Sequence, residues 1–174
     1  MPTRILLRSV NDAHRTTTPP PRNPAYYLVA GVALEQELDR LSALATFARG
    51  PLAVQRPLLK VRRARRRPNR LGFAVPAQFR LSVTAYPGIR PGDVLETLLH
   101  ELVHLHVGPA AEAHAWHGRT FKTTLAAAMN EAYGIGLGPR SGTRHGFYAE
   151  AIERVRLTPT GSAQAVAPVT FLGA

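Results

Sequence analysis

Cysteine is absent from all 174 residues. Its absence excludes disulfides, thiolate metal sites and cysteine nucleophiles, and suits a reducing compartment. Long apolar runs are missing too: nothing approaches the roughly 18 residues of a membrane span. Ile5-Leu6-Leu7 is too short for a signal-peptide core, so an intracellular protein that spans no membrane is expected. Acidic residues are few, with 11 Asp and Glu against 22 Lys and Arg and a formal net charge of +11. No internal repeat is visible.

The 45% hydrophobic content supports a real core, and the length suits one compact domain with mobile ends. Residues 1–25 read as a flexible segment containing Thr16-Thr17-Thr18-Pro19-Pro20-Pro21, an extended linker. Residues 26–157 read as the domain, and 158–174 as a tail. Val32 to Phe47 carries Leu34, Leu38, Leu41, Leu44 and Ala45 at helical spacing. Strands are expected over 58–63, 70–75 and 78–85, with 63–69 as the turn between the first two. Alternation of Phe79, Leu81 and Val83 predicts one buried face for the third strand.

The positive charge is uneven. Arg56, Lys60, Arg62, Arg63, Arg65, Arg66, Arg67 and Arg70 follow one another with no acid between them. Such a cluster can bind phosphate backbones by counterion release, without sequence preference. Arg62, Arg63, Arg65, Arg66 and Arg67 are therefore the candidate contacts to non-specific DNA. A solvated, mutually repelling loop is the alternative.

His100-Glu101-Leu102-Val103-His104 spells HExxH within an apolar helix pattern. Residues i and i+4 share a helix face, so both imidazoles can reach one ion. Zinc favours imidazole nitrogen in tetrahedral geometry, and Glu101 is placed to act as general base toward a zinc-bound water. Asp93, Thr97, His100, Glu101 and His104 form one polar stripe on a helix that is otherwise apolar nearly all round. A buried polar stripe needs partners, and a metal with its water would supply them. Gly108-Pro109 reads as the helix stop. His106 falls about 200° from His104 around the helix and cannot join the same ion; it is expected to be packed or partly exposed.

A catalytic zinc takes three protein ligands and leaves one position open. The metzincin spacing fails here, because its glycine and histidine positions hold Val107 and Ala110. His114, His117 and Glu131 remain. His117 precedes Gly118 and a helix whose face is Phe121, Leu125, Met129 and Ala132. Glu131 cannot serve with His117 if one helix carries both, since they would be about 21 Å apart along its axis; a solvated residue is expected there. His114 competes with His117.

His100-Glu101-Leu102-Val103-His104 followed by His117-Gly118-Arg119-Thr120-Phe121 resembles the HExxH…HGxxF signature of the SprT-like zinc metalloproteases. Leu41 to Leu52, Arg70-Leu71-Gly72 and Phe79-Arg80-Leu81-Ser82 resemble the family's upstream helix and strand pair. The likeness spans roughly residues 30–133. It implies a single zinc held by His100, His104 and His117, with Glu101 catalytic. It also implies substrates that are proteins on DNA, including crosslinked ones. Some relatives carry a cysteine-rich zinc ribbon, which this chain cannot have.

The expectation is an α+β, zincin-like domain: an N-terminal helix, a three-stranded sheet, the HExxH helix and a second ligand-bearing helix. It would be a monomeric zinc endopeptidase acting on protein or peptide, with an extended substrate added to the third strand if that strand is an edge. Two rivals stand beside it: a basic nucleic-acid-binding module with structural zinc closed by His114, and a thermolysin-like peptidase using Glu131. The five glycines between 134 and 146 read as a helix cap and a loop. Arg144 and His145 at the end of that loop, or Tyr148 after it, are candidate oxyanion stabilisers.

Overall fold

A computed structural model describes residues 28–109, 117–139 and 146–157. Leu28–Val29 (β1) and Val32–Ala33 (β2) form a small antiparallel ribbon around Ala30 and Gly31, both at positive φ. Helix α1 (Leu34–Ser42) buries Leu34, Leu38 and Leu41, the i, i+4, i+7 stripe its sequence predicts. It ends five residues before the periodicity does. The Glu131 carboxylate accepts the N–H groups of Ala45 and Thr46, at 2.5 and 2.9 Å. A continuing helix would direct those groups to the carbonyls of Leu41 and Ser42. The chain instead makes a short 3-10 turn over Ala45–Phe47, then α2 (Pro51–Val54).

Three strands follow: β3 (Leu58–Arg63), β4 (Gly72–Val75) and β5 (Arg80–Ala85). Their order is β3-β5-β4, with β3 parallel and β4 antiparallel to β5. This corrects two expectations. The 63–69 stretch is no hairpin turn, because β3 and β4 lie on opposite sides of β5. The third strand is central rather than an edge, and it buries Ser82 and Thr84 as well as Leu81 and Val83. The simple alternation fails because β5 is enclosed on both faces. Phe79 precedes the strand in a left-handed conformation, φ 44°.

Helix α3 (Pro91–Val107) starts at a proline, whose missing N–H costs nothing at a first helical position. It stops where Gly108, at φ 72°, donates to the His104 carbonyl. Most of its residues are buried, including Leu95, Leu98, Leu99 and Leu102 at 1% exposure or less. The sheet, α4 (Arg119–Tyr133) and α5 (Phe147–Leu157) pack around it. Helix α4 buries Phe121, Leu125, Ala128 and Met129, and Gly134 at φ 63° ends it, as the glycine run predicts. The architecture is α+β, with five α-helices and two small sheets among the described residues. None of those helices is long and apolar enough to cross a membrane.

Candidate metal centre

Helix α3 carries His100 and His104 one turn apart, and His117 reaches them from just before α4. The three ring nitrogens converge. His100 Nε2 lies 3.1 Å from His104 Nε2 and 3.1 Å from His117 Nε2, and one ligand atom from each residue falls within 4.8 Å of the others. Two donors about 2.05 Å from a tetrahedral ion would sit about 3.3 Å apart. The spacing and the all-imidazole donor set therefore fit a first-row divalent cation. Burial pushes the His104 pKa down to about 4, helped by the nearby charges of His117 and Arg70. Its imidazole is thus neutral, the form that ligates.

Phe121 forms the floor. Its ring centre lies 4.8, 4.4 and 4.7 Å from those of His100, His104 and His117, and the residue is 2% exposed. The sequence marks it as part of a helix face and as the last residue of the HGxxF pattern. The single aromatic ring packs against all three imidazoles.

Glu101 is 5% exposed. Burial pushes its carboxyl up to about 8, against the charge of Arg70 and a hydrogen bond donated by the Ala74 backbone. A Cβ at Gly72 would overlap Glu101 Oε1 and lie 2.5 Å from Thr97 Cγ2. Glycine is therefore what lets β4 lie against this turn of α3. The triad and Glu101 open on a cleft of about 230 Å³, walled also by Arg70, Gly72, Phe73, Ala74 and Pro76.

The polar stripe of α3 divides by role. Only its C-terminal half faces the cleft. Asp93 pairs with Arg90 at 2.9 Å, and the Thr97 hydroxyl donates to the Asp93 carbonyl at 2.6 Å.

Glu131 is no ligand: both carboxylate oxygens are taken by Ala45, Thr46 and the Thr46 hydroxyl. The residue is exposed, as expected, but anchored rather than free in solvent. Tyr148 is buried, its hydroxyl 3.5 Å from the Gly138 carbonyl, and it does not line the cleft. His106 packs beside Phe47 at 5.0 Å, under Gly50, separate from the triad as its helix angle requires. His114, Arg144 and His145 lie outside the described residues.

Arg62, Arg63, Arg65, Arg66 and Arg67 are exposed at the end of β3 and in the connection to β4. The fold separates two members of the run from them. Arg56 is tied to Glu35 and Asp39, at 2.5 and 2.6 Å, and Arg70 stands in the cleft wall. No family model, curated protein or solved structure matches this chain.

Proposed function

We propose that the chain is a zinc-dependent metalloendopeptidase with a SprT-like, zincin-type site. One observation carries the reading: three imidazole nitrogens converge beside a buried glutamate, and all four groups open on one cleft. Among the described residues no further His, Asp or Glu joins the triad, and a catalytic zinc site takes three protein ligands and keeps one position open. A zinc ion held by His100, His104 and His117 would supply Lewis acidity to the scissile carbonyl and lower the pKa of a water, and its charge would favour the ionised form of Glu101.

The chain's own residues do the rest. Glu101 takes the proton of the attacking water and passes it to the leaving amine. Its oxygens are aimed by the Ala74 N–H and by the close approach of Gly72. The peptide lies along β4, which is an edge strand of the three-stranded sheet beside the triad; strand addition there gives sequence-tolerant binding.

Proteins bound or crosslinked to DNA are the proposed substrates. The exposed arginines at 62, 63, 65, 66 and 67 precede the cleft strand in the chain and would hold the nucleic acid.

The test is to load wild type and Glu101→Gln with zinc and follow cleavage of an unfolded protein. The substitution should keep one zinc per chain and reduce cleavage by at least about a thousandfold. Full zinc with no cleavage by the wild type supports the structural-zinc reading instead. Cleavage that survives the substitution removes Glu101 from the mechanism.

A further inference from the structure

Arg70 stands immediately before β4 and lines the cleft with Glu101 and the three histidines. Its guanidinium carbon lies 5.6 Å from the centre of the Phe73 ring. Among the described residues it makes no hydrogen bond or ion pair, yet its charge reaches both Glu101 and His104. An arginine stacked on an aromatic face keeps its donor fork in a limited set of directions while its edge stays available. That arrangement suits bidentate capture of a carboxylate.

The strand edge gives the direction. Thr84 N–H donates to the Leu71 carbonyl at 2.7 Å, and the register pairs Phe73 with Ser82 and Val75 with Arg80. By the alternation of an antiparallel ladder, Phe73 and Val75 bond to β5, whereas Gly72 and Ala74 turn their backbone groups outward. The Ala74 N–H is used by Glu101. Among the described residues the outward carbonyls and the Gly72 N–H are left for an added strand. Antiparallel addition is the more stable kind, and a peptide laid that way runs from Val75 toward Gly72. Its next residues, toward its C-terminus, arrive at Arg70.

We propose that Arg70 is a specificity-determining residue that binds a carboxylate on the C-terminal side of the scissile bond. The carboxylate is an Asp or Glu side chain, or the free C-terminus of a short peptide. The inference rests on the peptidase reading and adds a substrate preference to it.

Two measurements test it. In the first, zinc-loaded wild type, Arg70→Gln and Arg70→Lys digest a complex peptide mixture, and mass spectrometry locates the cuts. Wild type should favour Asp or Glu over Asn or Gln within three residues after the cut by about five- to tenfold. Arg70→Gln should lose the preference, and Arg70→Lys should keep part of it. A preference unchanged in Arg70→Gln overturns the proposal. So does an equal fall in kcat/KM for acidic and neutral sites, which would assign Arg70 to the transition state.

In the second, fluorescence anisotropy compares labelled peptides on Glu101→Gln protein with and without Arg70→Gln. The peptides carry Glu or Gln, and a free or amidated C-terminus. Tighter binding of Glu peptides regardless of the terminus assigns the site to side chains. Tighter binding of free-terminus peptides regardless of the side chain assigns it to chain ends. Equal binding of all four overturns the proposal. This arm reads binding alone, so it decides the role of Arg70 even if wild type cleaves nothing and the peptidase reading fails.

Discussion

At Glu101 two requirements compete. The general base proposed here must be ionised at working pH, yet burial in α3 holds the proton on Glu101, with a pKa of about 8. The Ala74 N–H and the charge of Arg70 oppose burial without overcoming it. The residue is therefore poised for a nearby cation to tip it, the usual condition of a functional carboxyl. Gly72 leaves room for that carboxylate. Gly72→Ala should leave zinc stoichiometry unchanged and reduce cleavage by about a hundredfold, because the added methyl displaces Glu101. Equal cleavage by the variant would show that the approach of β4 has no bearing on the reaction. The spacing of His100, Glu101 and His104 was legible in the sequence, whereas His117 stood beside His114 and was preferred only through the family resemblance. Gly72 and Arg70 were visible only as parts of a motif or a charge run. Their roles depend on where β4 lands, which no local pattern records.

At the scale of elements, α3 and α5 cap each other. Glu153 on α5 accepts the Gly92 N–H at the start of α3. Glu96 on α3 accepts the Gly146 and Ala149 N–H groups at the start of α5, at 3.1 and 2.8 Å. Gly92 must be small, since a Cβ there would lie 2.5 Å from the Ala149 carbonyl.

Burial raises the Glu96 pKa to about 7, against its two backbone hydrogen bonds. A folded-state pKa above the unfolded one gives stability that is fully present below about pH 4.5 and lost as pH rises through 7. The loss is on the order of 3 kcal/mol. Glu96→Gln keeps an acceptor oxygen and removes the titration. The melting temperature of the variant should therefore gain on wild type as pH rises from 5 to 8; a constant difference across that range would contradict the assignment. This latch was invisible in the sequence because its partners are some 50 residues apart. The early end of α1 has the same kind of cause, since Glu131 reaches back 86 residues to claim Ala45. The strand positions, by contrast, were legible to within about two residues. The order was not, because a parallel β3–β5 pair needs a crossover that periodicity does not encode.

At the scale of the whole molecule, the basic stretch leads directly into the cleft strand. If it holds nucleic acid, replacing Arg62, Arg63, Arg65, Arg66 and Arg67 with alanine should weaken DNA binding. It should also flatten the plot of log affinity against log salt by up to about four units of slope. An unchanged slope would place DNA contact elsewhere. Charge alone pointed to this face, and the fold adds that it is exposed, that Arg56 is paired with Glu35 and Asp39, and that Arg70 stands in the cleft wall.

The central claim is an open, three-histidine metal site. X-ray absorption on zinc-loaded protein tests it most directly, with His114→Ala measured alongside. The account predicts three imidazoles and one non-imidazole oxygen at about 2.0–2.1 Å, identical in the two proteins. A fourth imidazole that disappears in His114→Ala would contradict it and make the zinc structural.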